Sequence, residues 1–124
     1  MKVLLDSDIL IEITRRRIPE ILSQWHRLGR SDSIILYCPI SATELWRGAR
    51  PNEQEITTEL FLSLDCAPVD YSIGKLAGEL QSRYSKSHGL ELADALIAAT
   101  AVQNDALLWT RNRKHYPMAE LSFF

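Results

Sequence analysis

Three acidic residues, Asp6, Glu44 and Asp94, occupy surroundings where a carboxylate needs a partner. Asp6 follows the apolar run Val3-Leu4-Leu5, and Asp94 lies in Leu92-Ala93-Asp94-Ala95-Leu96-Ile97-Ala98-Ala99, where nearly every neighbour is apolar. An unpaired carboxylate in such a setting is costly to desolvate. Bringing three of them within ~4 Å adds ~4 kcal/mol for each like-charge pair at an effective dielectric near ~20. No Lys or Arg adjoins Asp6 or Asp94, so a divalent cation is the simplest counter-charge. Ligands that are all oxygen favour Mg²⁺, or Mn²⁺, over zinc, which prefers His and Cys. His26, His88 and His115 show no zinc-ligand spacing and read as surface residues.

Each acid also has a local alternative, and the local pattern leaves both open. Asp6 fits a strand-end turn. Glu44 lies three residues after Ser41, which is capping-box spacing. Asp94 fits the first turn of a helix, where the macrodipole favours negative charge. Asp8, ahead of Ile9-Leu10-Ile11, reads as a helix cap rather than a ligand.

The elements that position these groups follow from periodicity and punctuation. Lys2–Leu5 reads as a buried strand and Ile34–Tyr37 as a second, rich in β-favouring residues. Cys66–Val69 and Leu107–Trp109 read as further short strands, with Leu121–Phe124 as a fifth at an edge. Helices are expected after Asp8, from Pro19 to about Gly29, after Pro39 with Ser41 as cap, and over 52–64, 71–85 and 90–104. Asn104 is expected in the left-handed position that ends the last of these. Strands alternating with helices imply a three-layer α/β/α sandwich around a mostly parallel sheet of four or five strands. Chemistry in open parallel sheets gathers at the carboxyl ends of the strands. Asp6 and Asn112 follow strands directly, and Glu44 and Asp94 lie near helix starts that point to the same edge.

The length of 124 residues suits one domain spanning 1–124. With 46% hydrophobic residues a core forms without disulfides, so Cys38 and Cys66, both in apolar stretches, read as buried free thiols. Met1-Lys2 runs directly into Val3-Leu4-Leu5, too short for a signal peptide, and no apolar run approaches the ~20 residues of a membrane span. The expectation is a cytoplasmic protein without a membrane partner. A net charge of −2 weighs against a duplex binder, but Arg15-Arg16-Arg17, Arg47 with Arg50, and Arg111-Arg113-Lys114 are local basic clusters.

With these residues in view, the sequence resembles the PIN-domain family, particularly the VapC-like toxins of bacterial toxin–antitoxin pairs. Val3-Leu4-Leu5-Asp6-Ser7-Asp8-Ile9-Leu10-Ile11 is similar to the family's opening strand with its metal-binding acid. Ser41-Ala42-Thr43-Glu44-Leu45, followed by Gly48-Ala49, is similar to its second block. Leu92 to Ala101 is the most specific match, and Thr110-Arg111-Asn112-Arg113-Lys114-His115-Tyr116 resembles the closing block. The closing block departs from the pattern, because Asn112 and His115 stand where the family commonly supplies a fourth acid. The resemblance implies a Mg²⁺-dependent endoribonuclease that cleaves RNA by a metal-activated water. Asp6, Glu44 and Asp94 would then hold the metal and Asn112 would support them. Thr110 or Ser7 would orient a ligand, and Arg111 and Arg113 would bind RNA backbone. It also implies a homodimer and a cognate antitoxin, which Leu45, Trp46 and the first helix would meet unless they belong to the core.

Two other classes of function fit parts of the sequence. A catalytically degenerate PIN domain would bind RNA or a partner without cutting, consistent with Asn112. A haloacid-dehalogenase-type phosphatase would use Asp6 of Asp6-Ser7-Asp8 as nucleophile. That class also needs a later Lys and an acidic pair after a further strand; Lys75 sits on an amphipathic segment and no acidic pair follows Trp109.

Overall fold

A computed structural model describes residues Met1–Phe124. Four parallel strands, β1 (Lys2–Leu5), β2 (Ile34–Tyr37), β3 (Asp65–Cys66) and β4 (Leu107–Trp109), form one sheet in the order β3-β2-β1-β4. Leu5 pairs with Tyr37 on one side and Trp109 on the other, so β1 ends between two neighbours. The Asp6 N–H continues that pairing by donating to the Trp109 carbonyl at 2.9 Å. The last residues add a further edge: Phe123 bridges to Leu108 in parallel, and the Phe124 N–H donates to the Leu108 carbonyl at 2.9 Å.

Alternate residues of the central strands enter separate cores, because strand side chains point to opposite faces. Leu4, Leu36 and Leu108 pack under α5 (Tyr71–His88) and α6 (Leu92–Gln103). Val3, Leu5 and Trp109 pack with α1 (Ser7–Arg15), α2 (Pro19–Gly29), α3 (Pro39–Gly48) and α4 (Gln54–Leu62). The expected three-layer α/β/α arrangement is the observed one. α6 is the most deeply enclosed helix, with Ala95 and Ile97 through Ala101 all buried. Its small alanines let it lie close to both the sheet and α5.

Several local expectations are corrected. α1 is capped by Asp6, whose side chain accepts from the Ser7 N–H, and not by Asp8, which lies in its first turn. α3 starts at Pro39, so Ser41 is inside the helix, fully buried with its Oγ unpartnered, and forms no capping box with Glu44. A 3₁₀ turn at Pro51–Glu53 precedes α4, and β3 is two residues long. α5 runs on to His88 and stops at Gly89, whose φ of 60° supplies the left-handed turn that frees α6 to start anew. After α6 it is Asp105, with φ 53°, that takes the left-handed conformation and not Asn104. Both thiols are free, but only Cys38 is buried; Cys66 lies exposed on the short edge strand β3. Leu45 belongs to the core, whereas Trp46 is 41% exposed. No helix is long and apolar enough to cross a membrane.

Candidate active site

The end of β1 delivers Asp6 to the carboxyl edge of the sheet, where it is 7% exposed and accepts three hydrogen bonds. Its Oδ1 accepts the Ser7 N–H at 2.8 Å. Its Oδ2 accepts the Thr110 hydroxyl and the Tyr116 hydroxyl, each at 2.8 Å. β4 places Thr110 one residue past its end, beside Asp6, because Leu5 and Trp109 are in register. Tyr116 arrives after a 3₁₀ turn at Arg113–His115 and is 4% exposed.

Tyr116 joins Asp6 to the second predicted acid. Its hydroxyl lies 2.8 Å from Asp6 Oδ2 and 3.4 Å from Asp94 Oδ1, while His115 Nδ1 lies 3.8 Å from Asp94 Oδ2. Burial and then the charge of Asp6 raise the Asp94 carboxyl above its usual range, with His115 opposing the shift. The Tyr116 phenol is raised for related reasons, burial first and then the charges of Asp6 and Asp94, so it keeps its proton and remains a donor.

Glu44 joins from the other side through Ser7, whose Oγ donates to Glu44 Oε1 at 2.6 Å. The three acids are therefore linked, from Glu44 through the Ser7 hydroxyl and the Ser7 N–H to Asp6, and on through the Tyr116 hydroxyl to Asp94. They border different depressions. Glu44 lines a small cavity of about 40 Å³ with Arg15 and Glu53, and Asp94 lines a larger one of about 310 Å³ with His88, Glu91, Lys114 and His115.

The Asn112 side chain turns to Asp8 and not to the three acids. Its Nδ2 donates to Asp8 Oδ2 at 2.9 Å, and the Arg111 N–H donates to the same oxygen at 3.0 Å. Asp8 is pushed up to about 6, by burial first and then by the charge of Asp6, against the N–H groups of Arg111 and Ile9. The two expected RNA-binding arginines have protein partners. Arg111 Nη1 lies 3.4 Å from Glu12 Oε1. Arg113 Nη2 donates to the Phe124 carbonyl at 3.2 Å, and its guanidinium lies 5.0 Å from the centre of the Phe123 ring.

Sequence reasoning overlooked Tyr116 as a partner of the acids, and Glu12 altogether. Glu12 is 3% exposed, paired with Arg17 and Arg111, and its carboxyl is lowered chiefly by the Arg17 hydrogen bond. Its position among Ile9, Leu10 and Ile13 on an apolar helix face was the available signal.

No three acidic, histidine or cysteine side chains stand together as a ready-made metal cage. The fit to a divalent ion rests instead on donor chemistry and on one orphaned atom. The acids offer oxygen alone, which suits Mg²⁺ or Mn²⁺. Burial first, and then the charge of Asp6, raise both Asp8 and Asp94, as expected of acids short of a counter-charge. Asp8 Oδ1 is out of solvent with no hydrogen-bond partner, an oxygen of the kind a divalent cation would take.

Comparison with known proteins adds independent findings. A family model, the PIN domain, matches residues 3–121. The chain is 35% identical over 119 residues to ribonuclease VapC10 of Mycobacterium tuberculosis, covering 95% of this chain and 88% of that one. Its fold matches the crystal structure of VapBC2 from Rickettsia felis bound to a promoter DNA fragment, with TM-score 0.83 and 23% identity over 100% of this chain and 98% of that one. It also matches a toxin–antitoxin complex from Klebsiella pneumoniae, with TM-score 0.73 and 26% identity over 96% and 94% of the two chains.

Proposed function

The chain belongs to the PIN-domain family, and from that premise we propose that it is a VapC-type ribonuclease toxin, a metal-dependent endoribonuclease restrained by an antitoxin. One observation carries the reading: the Tyr116 hydroxyl joins Asp6 and Asp94, while Ser7 joins the same turn to Glu44. Three acids from three separate segments are thus tied to the carboxyl edge of the sheet, where open α/β folds place their chemistry.

In this reading Asp6, Glu44 and Asp94 hold Mg²⁺ or Mn²⁺. When bound, the ion lowers the pKa of the attacking water and stabilises charge on the phosphodiester. The chain's own groups supply orientation. Ser7, Thr110 and Tyr116 fix the Asp6 carboxylate, and the Ser7 hydroxyl fixes Glu44. Lys114 and His115, which border the cavity beside Asp94, join Arg111 and Arg113 as contacts for RNA phosphate. Asn112 supports the site from its bond to Asp8. The phosphatase reading of Asp6 finds no support in the family match.

A cognate antitoxin, pairing of two copies and action in the cytoplasm complete the proposal. Trp46, Leu62, Tyr71 and Leu92 are large apolar side chains left exposed, and they offer surface for those partners.

The test uses purified protein and structured RNAs with Mg²⁺, with Mn²⁺ and with chelator, beside Asp6→Asn and Asp94→Asn. The expected result is cleavage that needs metal and falls by at least about 100-fold in each variant. Cleavage that survives chelator, or both substitutions, would sink the mechanism. RNA binding without cleavage in any metal would favour a degenerate domain.

A further inference from the structure

Asp6 and Asp8, two residues apart at the start of α1, are fastened to one loop. The Thr110 hydroxyl donates to Asp6 Oδ2 at 2.8 Å and accepts the Asn112 N–H at 3.0 Å. The Asn112 side chain and the Arg111 N–H then both donate to Asp8 Oδ2, at 2.9 and 3.0 Å. The result is a closed path from Asp6 through Thr110 and Asn112 to Asp8. It holds one oxygen of Asp8 firmly and leaves the other, Oδ1, out of solvent and without a partner.

That asymmetry is informative. A carboxylate serving only to anchor the loop would be satisfied by the two bonds to Oδ2, with Oδ1 left in water. A buried, unpartnered carboxylate oxygen beside a second acid is unfavourable unless a cation meets it. Capping does not explain the arrangement either, because Asp6 already caps α1.

We infer that Asp8 Oδ1 is an additional ligand of the divalent ion held by Asp6, and that Asn112 positions Asp8 instead of binding the ion. The inference rests on the proposed reading of this edge as a metal centre. It also accounts for the closing block. The acid absent at position 112 is replaced by one at position 8, and the amide that took its place sets the direction of the substitute. Asn112 is in this sense a positioning residue, acting on a ligand as outer partners of metal sites do.

Manganese binding to metal-stripped protein, followed by isothermal titration calorimetry, tests this without reference to cleavage. Wild type, Asp8→Asn, Asn112→Ala and the double variant are compared, with melting temperatures recorded in the absence of metal. Asp8→Asn should weaken Mn²⁺ binding by about tenfold or more and leave the metal-free melting temperature unchanged or higher, since a buried like charge is removed. Asn112→Ala should weaken binding as well, and the double variant should bind no more weakly than Asp8→Asn alone. Asp8→Ser provides a second comparison should Asp8→Asn fold poorly. Equal Mn²⁺ affinity in wild type and the Asp8 variants overturns the inference. So does an effect of Asn112→Ala that persists undiminished without Asp8. A wild type that binds no Mn²⁺ overturns the metal reading itself, whereas wild-type binding that ignores Asp8 overturns this inference alone.

Discussion

Tyr116 and Asp6 lie 110 positions apart in sequence, yet the Tyr116 hydroxyl donates to Asp6 Oδ2 at 2.8 Å inside the protein. Asp94 shares the same hydroxyl at 3.4 Å. One phenol thus holds together the end of the first strand and the start of the most buried helix.

Tyr116→Phe keeps the ring and deletes this donor. A hydrogen bond to a charged group is worth about 1.5–3 kcal/mol, and the loss should fall in that range. Urea denaturation of the metal-free protein measures it. A stability within experimental error of wild type would show that Asp6 is sufficiently served by Ser7 and Thr110.

Ser7→Ala removes the bond to Glu44 Oε1 while keeping the backbone N–H that Asp6 accepts. The carboxylate of Glu44 then loses its orientation but not its charge. RNA cleavage should fall roughly 10- to 100-fold, with the melting temperature little changed. Steady-state kinetics beside a thermal melt separate the two effects, and a fall in stability without a change in rate would assign Ser7 a purely structural role.

Glu12 gives a pH-dependent signature. Its folded carboxyl is lowered from 4.5, chiefly by the Arg17 hydrogen bond, so the stability it contributes is present above that value. This contribution is lost as pH falls through the lowered folded value, because the proton then displaces the ion pair. Glu12→Gln should therefore cost about 1.5–3 kcal/mol near neutral pH and progressively less in acid. Denaturation curves of both proteins across acid to neutral pH check this; a constant difference at every pH would exclude the linkage.

The sheet was legible because its strands are apolar runs bounded by polar residues. β1 and β2 fall at Lys2–Leu5 and Ile34–Tyr37 as the pattern predicts, and the alternation Val3/Leu4/Leu5 serves two cores at once. α6 was legible because Ala and Leu fill it and both its helix propensity and its burial agree. Capping was misread because local rules compete with distant partners. Asp8 has the right place to cap, but the loop bearing Arg111 and Asn112 takes its carboxylate. Glu44 stands at capping-box distance from Ser41, yet Ser7 from another helix reaches it first. Tyr116 offered little warning, since an aromatic near the end of a chain reads as core. Its burial is indeed that of a core residue; only its hydroxyl, aimed at two acids, departs from the pattern.

The bonds that complete the site bridge 104 and 110 residues, from Thr110 and Tyr116 back to Asp6. Chains leave the ribosome from the amino end, so Asp6, Glu44 and Asp94 all emerge before either hydroxyl that steadies Asp6 from the far strand. Contacts of such separation form late, because closing the intervening loop must come first. Until β4 docks against β1, the nascent chain carries the acids without the framework that arranges them. An assembled site therefore waits on Thr110 and Tyr116, long after all three acids have been made.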